Sequence, residues 1–546
     1  MGTRLYWAAF AIIIAGAIAL RAFWIYTLQL PFVTPDSPSY LRPLIEHWWL
    51  PISSRRTAGL PFLISMSLQV FRHPVGILIV NGILAIASGA LLAIAIRNVL
   101  RQNLLSLIAL FVVTFTAKNV AQEYYLMTEH GSRVFYIVYA ALMLWVCQNP
   151  RRYWLAALIG LITTLNILIK PDAVVLIPAT LLAFAAAFWA FASRRRDFTI
   201  TTAAFLLATV IPLLAYMAEF QRQFGTFDLT QAGGRNQFSH VGHLTLLDRG
   251  KHPELKERLK PLIVPYKRDY ADKGNHQANW LISGSVDKQL KNDFGDKSPK
   301  SEVLDYVRER YPEFTDRWIN EVYGDLALEA MKAHPVEYLR YAAQQGIALW
   351  QGGYRFAYYE ILPTGAHFER HRADRNIMRN RLYYIYGESE PPCGPDAKPP
   401  ATAAGPLAAM FSSEILSCSP PPYDNPAIAG AARWVDVAYR LVTRPLAAAF
   451  DYIPRIGAAA AILAGALLYR SRAGACTYAF GLLLCLVVLG YTMLHGLINV
   501  AESVRMTSNV QDYVVLAALS FIFSLGCLLR DLVRGKPSEV SASPAG

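Results

Sequence analysis

Charge is scarce in this sequence. Only 17% of its 546 residues are Asp, Glu, Lys or Arg, where a soluble protein carries about 25%. Length alone would predict roughly three or four soluble domains. A composition that is 54% hydrophobic overrides that prior and predicts a polytopic membrane protein with one polar insert. A small-residue cleavage site is missing too. The first apolar run leads into Arg21 and bulky aromatics, so it reads as a retained helix and not as a signal peptide. There is no nucleotide-binding fingerprint, because the glycines of "QAGGRN" lack the strand–turn–helix setting that holds a pyrophosphate. No internal repeat pairs the two ends of the chain, which argues against the repeat-built plan of many transporters. The net charge of +13 does not point to nucleic acid, because many basic residues stand in short clusters between apolar runs.

Those clusters are "RNVLR" from Arg97, "PRRY" from Pro150, "SRRRD" from Ser193, "YRSR" from Tyr469 and "RDLVRGK" from Arg530. Lys and Arg in short loops mark the cytoplasmic side. A span takes about 20 mostly apolar residues. Ten candidates stand near 6–28, 75–96, 104–118, 134–148, 154–169, 173–192, 199–218, 454–470, 475–494 and 511–529. With the N-terminus inside, every basic cluster is cytoplasmic and both termini are inside. The outward loops are then 29–74, 119–133, the turn Lys170–Asp172, 219–453 and 495–510. The segment "TAGLPFLISMSLQVF" (57–71) is short and carries Gln69, so it is expected to lie at the interface.

The predicted organisation has four parts. Residues 1–218 form a seven-helix membrane module with outer loop 29–74, and 219–453 a mainly helical periplasmic domain. Residues 454–530 supply three C-terminal spans, and 531–546 a cytoplasmic tail. Within the insert, Trp318, Val322, Leu326, Leu328 and Met331 recur at helical spacing before a break at Pro335. Between Pro391 and Pro422 the chain is Pro/Ala/Ser-rich and expected to be irregular. Cys147, Cys476, Cys485 and Cys527 fall in or beside spans. Cys393 and Cys418 lie in one outward loop on the oxidising side, which predicts a disulfide between them.

Ionisable groups at a membrane edge are expensive and are functional candidates by default. Here they gather on the outward side. Arg21 closes the first span. Asp36, Arg42, Glu46, His47, Arg55 and Arg56 follow in the first loop. Glu123, Glu129, His130 and Arg133 lie in the second, Lys170 and Asp172 in the third, and His495, Glu502 and Arg505 in the last. Carboxylates beside fixed cations at the edge of hydrocarbon suit a lipid-linked phosphate. The cations hold the phosphate and a carboxylate works at the carbon bearing it. Plainer readings stand beside this one. Asp36 is also placed as a helix N-cap, Arg42 and Glu46 as solvated loop charges, and Arg55–Arg56 likewise. Arg133 also suits an interfacial anchor, and Arg505 a side chain snorkelling to the headgroups.

The pattern resembles the GT-C superfamily of integral-membrane glycosyltransferases, among them protein O-mannosyltransferases, lipid A aminoarabinose transferases and the rhizobial lipopolysaccharide-core galacturonosyltransferases. The residues carrying the resemblance are "TPDSPSYL", "SSRRTAGLPFL", "YYLMTEHGSR", "LIKPDAVVLIP" and "ESVRMTSNVQDYVVLA", in that order. Their stretches are similar to the acidic first loop, an "R-x-P-G-Y-P" segment, the second outer loop, an "R-P-(x)n-P" turn and a late "R-Y-x-x-P" element. The seven spans before the insert match the shared module in number. Departures are visible: Ser37 stands where many relatives have a second acid, Leu60 where they have Tyr, and Met506 where they have Tyr.

The resemblance implies an all-α GT-C fold in a bacterial inner membrane, with a periplasmic active site. It implies an inverting glycosyltransferase that moves a sugar from a polyprenyl monophosphate donor to an envelope glycan, lipid or protein. On that reading Asp36 is the general base, with Glu129 next in line. Arg55, Arg56, Arg505 and Lys170 hold the donor phosphate, and Tyr40, His130 and Glu502 line the substrate. Trp48 and Trp49 sit at headgroup level. No cofactor is demanded. His240 and His243 in "SHVGH" have no third ligand nearby, so no metal site is predicted, although some GT-C relatives use a divalent ion. The rival classes are an O-antigen ligase or polymerase taking a glycan from a polyprenyl diphosphate, a lipid or sugar transporter, and a scaffold whose enzyme module is degenerate.

Overall fold

The structure, a computed structural model, describes residues 2–32, 36–46, 51–149, 151–191, 195–266, 299–311, 313, 316–348, 408, 410, 421–467, 472–498 and 510–533. His47, Trp48, Trp49, Cys393, Cys418, Glu502 and Arg505 lie outside the described residues, as does the expected irregular segment apart from a few positions. The chain is an all-helical polytopic membrane protein. Among the described residues there is no strand, only one parallel bridge between Phe32 and Tyr125.

Each expected span coincides with a helix. These are α1 (Thr3–Leu28), α5 (Val75–Ala95), α6 (Asn103–Phe115), α8 (Thr128–Gln148), α9 (Tyr153–Ile169), α10 (Leu176–Phe191), α11 (Arg195–Phe224), α17 (Pro426–Leu467), α18 (Arg472–Ile498) and α19 (Gln511–Val533). Among the described residues five helices are long and apolar enough to cross a bilayer outright: Thr3–Leu28, Val75–Leu100, Arg196–Phe224, Gly474–His495 and Gln511–Val533. A sixth arises if α6 and the helix after it, α7 (Ala117–Tyr124), count as one span bent by 42°. Of the others, α9 and α10 are shorter, α8 opens on polar residues, and the apolar stretch of α17 is only Tyr452–Ala466. Apolar residues all round let these helices bury one side in protein and leave the other to lipid. Ile12, Ile83, Leu182 and Leu207 are exposed, while Leu92, Ala109, Tyr139, Ile159, Leu484 and Leu516 are fully buried in one core.

Packing is close where side chains are small. A Cβ on Gly160 of α9 would stand 2.5 Å from the Phe205 carbonyl oxygen and 2.9 Å from the Ala208 methyl of α11. Small residues bring membrane helices together in this way. At the end bearing the basic clusters, Arg97 lies over the rings of Tyr6 (4.7 Å) and Trp7 (4.8 Å). The Tyr6 hydroxyl meets Ser106 Oγ at 2.8 Å, which ties α1 to α6.

The other end of the bundle, called here the insert end, carries the connections of interest. Segment 59–71 is helix α4 (Gly59–Phe71). It starts against Leu168 and Ile169, at the end of α9, and finishes against Gly76, at the start of α5. Both contacts are at the insert end, so α4 bridges helix ends and does not cross the bundle. Phe62, Met66 and Val70, one per turn, form its exposed apolar edge.

The insert packs as a unit from α12 (Gly233–Val241), α13 (Pro253–Tyr266), α14 (Pro299–Arg310) and α15 (Asp316–Ala333), with α16 (Pro335–Ala348) leading back onto α18. Phe238, Leu255, Leu259, Val303, Val307, Val322 and Leu326 form its core. Leu328, expected in that core, faces out. It stands two residues from Leu326, about 200° round the helix, and Ala327 and Ala330 take the inner positions. The expected boundary at 453 falls inside α17, a continuous helix that begins at Pro426.

Gly160→Val is expected to destabilise the fold by about 1–3 kcal/mol, because a backbone oxygen cannot move aside. Leu161→Ala, at an exposed position, is expected to stay within about 0.5 kcal/mol of wild type. Unfolding of both variants in detergent checks the pair.

Candidate functional site

Three of the expected loops meet at the insert end. Phe32 donates its N–H to the Tyr124 carbonyl (2.7 Å) and accepts from Leu126 N–H (3.0 Å), so the first loop is laced to the second. Ser37 Oγ adds a bond to the Leu126 carbonyl at 3.1 Å. Thr57 Oγ1 reaches the Ile169 carbonyl at 3.4 Å, one residue before Lys170. The start of the insert joins them where Gln231 N–H donates to the Ser54 carbonyl at 2.6 Å. The turn Pro171–Val175 meets α18 through Asp172, which accepts from the Tyr491 hydroxyl (3.1 Å) and pairs with His495 Nε2 (3.0 Å).

Asp36 stands at the N-cap position of the short helix α2 (Ser37–Leu41), but its side chain makes no cap bond. The carboxylate goes to Arg56 instead. Arg56 Nη2 donates to Asp36 Oδ1 at 2.7 Å and Arg56 Nε to Ser39 Oγ at 2.9 Å, while the guanidinium lies 4.8 Å over the Tyr40 ring. Asp36 and Arg56 are each about a third exposed (31% and 32%), so this pair lies on an accessible rim. Arg55 beside it is exposed and Tyr40 is buried. Arg42 is exposed, as its plain reading expects.

The second-loop acids and bases are somewhere else entirely. Segment 119–133 is not a loop but most of α7 and the first turns of α8, and Glu123, Glu129, His130 and Arg133 are all 1% exposed. Arg21 grips Glu123 with two bonds, Nε to Oε2 at 2.7 Å and Nη2 to Oε1 at 2.6 Å, and also donates to the Thr114 carbonyl at 3.0 Å. Arg133 stands 3.6 Å from Glu123 and 3.9 Å from Asp512. Asn119 Nδ2 donates to both oxygens of Asp512, at 2.9 and 3.1 Å. His130 does not face a substrate cleft. Its Nε2 meets the Asn81 carbonyl (3.0 Å) and its Nδ1 meets Arg133 (3.3 Å), so both ring nitrogens serve the bundle. Glu129 is equally deep, with Lys170 Nζ at 3.7 Å, and Lys170 is shared with Asp172 at 3.5 Å.

Sequence reasoning names Arg21, Glu123, Arg133, Asp172 and His495 only as members of a charged side, and misses Lys118, Asn119, Tyr491 and Asp512. A signal for Asp512 exists: an acid in the first turn of an apolar run is a buried charge in want of a cation. Among the described residues no three His, Cys, Asp or Glu side chains gather as metal ligands. His243 lies in a short turn with its ring tilted at 50° to that of Tyr341, the centroids 4.9 Å apart.

The sequence matches no protein-family model and no curated protein. Among solved structures, the chain is similar to an oligosaccharyltransferase of Archaeoglobus fulgidus, crystallised as a complex with zinc and sulfate. The likeness covers 75% of this chain and 61% of that one, at 12% identity and a TM-score of 0.30. An overlay that loose fixes neither site nor substrate.

Arg21→Met is expected to cost about 3–5 kcal/mol, because it strips a buried carboxylate of its bidentate partner. Removing both partners, as Arg21→Met with Glu123→Leu, is expected to recover part of that loss only, since Arg133 then keeps Asp512 alone. Unfolding midpoints in detergent measure both. A neutral Arg21→Met would mean that water reaches Glu123.

Proposed function

We propose that this protein is a membrane glycosyltransferase of the GT-C type. It moves a sugar from a polyprenyl monophosphate to a cell-envelope glycan, lipid or protein on the side of the membrane that bears the insert, which we take as the periplasmic side. The observation that carries the reading is the Asp36–Arg56 pair. It puts one carboxylate and one guanidinium at an accessible rim above the apolar helix ends, with Arg55 exposed next to it.

Transfer breaks the bond from the anomeric carbon to the phosphate oxygen and forms a bond to the acceptor oxygen, with inversion. The acceptor hydroxyl loses its proton as it attacks, and Asp36 takes it. Arg56 orients Asp36 through Oδ1 and is itself steadied by Ser39 and the Tyr40 face. The departing phosphate gains negative charge, and guanidinium groups that are already in place stabilise that charge without reorganising. Arg55 and Arg56 are the first candidates for this role, with Arg505 joining them from the last loop. Lys170 ranks behind them, because two carboxylates already share it. Glu129 ranks behind Asp36 for a similar reason, since it is buried beside Lys170. The insert, the one large element beyond the membrane module, is assigned to acceptor selection.

The test is sugar transfer in proteoliposomes, with a panel of polyprenyl-monophosphate sugars, a polyprenyl-diphosphate glycan and envelope extract as acceptor. Wild type is expected to use a monophosphate donor, and Asp36→Asn to lose about 10²–10⁴-fold in kcat with an unchanged melting midpoint. Undiminished transfer by Asp36→Asn would remove the base from Asp36. Transfer from the diphosphate alone would replace the donor class, and no transfer from any donor would sink the enzyme reading.

A further inference from the structure

Two charged groups are buried at the insert end: Lys170 with Glu129 and Asp172, and a second, larger one. Arg21, Arg133 and Lys118 supply three cations, and Glu123 and Asp512 two carboxylates, all within the apolar bundle. Arg21 is bound by Glu123. Arg133 lies between Glu123 and Asp512. Asp512 in turn takes both its hydrogen bonds from Asn119. Lys118 shares the charge of Asp512 with Arg133 but makes no hydrogen bond to it. Its Nζ is fully buried and has no hydrogen-bond partner among the described residues. An ammonium without a hydrogen-bond partner in such a place is strongly unfavourable, and the group either sheds its proton or takes an anion that hydrogen-bonds to it.

The backbone beside it is arranged for one. Lys118 is the second residue of α7, which begins at a break after α6. No side chain caps that N-terminus. Thr116, at the cap position, donates its hydroxyl back to the Val112 carbonyl and accepts from Asn119 Nδ2. A helix N-terminus presents N–H groups and the positive end of the helix dipole. Here the N–H groups of Asn119 and Val120 already bond to the Thr116 carbonyl, which leaves those of Ala117 and Lys118, next to a Lys118 side chain that has no hydrogen-bond partner among the described residues.

We infer that Lys118 and the N-terminus of α7 form an anion site at the insert end of the bundle, and that its ligand is a phosphate monoester or diester. The glycosyltransferase reading makes the donor phosphate the natural ligand, and this assignment of ligand rests on that reading. The site itself rests on the buried, unbonded Lys118 side chain and the helix terminus. Lys118 holds the phosphate as a point charge, while Asp512 and Asn119 fix the α7–α19 contact on which the site is built.

Two measurements on the full-length protein in detergent test it. The first is stability without ligand. Lys118→Met is expected to melt at or above the wild-type temperature, because it removes a buried amine that has no hydrogen-bond partner among the described residues. A clear fall would show that Lys118 is paired structurally, and would overturn the proposal. The second is ligand-induced stabilisation by a long-chain polyprenyl phosphate, the corresponding polyprenol, and inorganic phosphate. The expected result is a rise in melting temperature with polyprenyl phosphate and none with polyprenol. The apparent Kd should weaken by about 10- to 100-fold in Lys118→Met and be partly restored in Lys118→Arg. A response to inorganic phosphate lost in Lys118→Met would keep the site and assign it to free phosphate. Equal responses in wild type and Lys118→Met, or no response to either phosphate, would overturn it. Sugar transfer is read separately, so a protein that binds phosphate through Lys118 but transfers no sugar would refute the enzyme reading and leave the site standing.

Discussion

Glu123 has no water to solvate it, and that constraint organises the insert end of the molecule. Moving a carboxylate into a medium of low dielectric costs several kcal/mol even after relaxation, so cations and donors must come to it from elsewhere in the chain. Arg21 arrives from α1 with a fork that matches both oxygens, and Arg133 from α8. Arg133 then extends the network to Asp512 on α19, which Asn119 of α7 holds by two bonds. Four helices far apart in sequence are thereby fixed at one level. Lipid-facing packing alone would leave them free to slide, because apolar side chains gain as much from lipid tails as from one another.

That fixed level is what gives the rim its geometry. Phe32 bonds to the residues that follow Glu123, so the first loop inherits its position from the buried pair. Asp36 and Arg56 are then carried by short elements anchored at both ends, on Leu126 through Ser37 and on Ile169 through Thr57. The short helices and prolines of residues 36–61 shorten the reach of each segment between anchors. A site built on such a loop is positioned by the helices beneath it and not by the loop's own rigidity.

The part of this that is legible in the sequence is the part that is local. Spans follow from apolar runs, the placing of 57–71 at the interface from its shortness and Gln69, and the grouping of Asp36, Tyr40 and Arg56 from their nearness along the chain. Partition between rim and interior is not local. Glu129 and His130 interrupt an apolar run just as loop residues would. Whether they are solvated or buried depends on Lys170, on Asn81, and on Arg133 one turn away, whose own partner Asp512 lies 393 residues from Asn119. The boundary at 453 fails for a similar reason. Residues 426–453 read as polar, yet their helix runs on into the bundle, where Tyr439 donates to the Phe115 carbonyl at 2.6 Å.

The choice between Asp36 and Glu129 as base turns on this same partition. A general base must come within hydrogen-bond reach of the proton it removes. Glu129 is 1% exposed and shares Lys170 with Asp172, so an acceptor could meet it only if the packing around it opened. Asp36 needs no such rearrangement, since the pair it forms with Arg56 is partly exposed. The contacts that lace Phe32 and Ser37 to Tyr124 and Leu126 hold Asp36 at the rim, while Glu129, three residues further along the chain, stays buried beneath it.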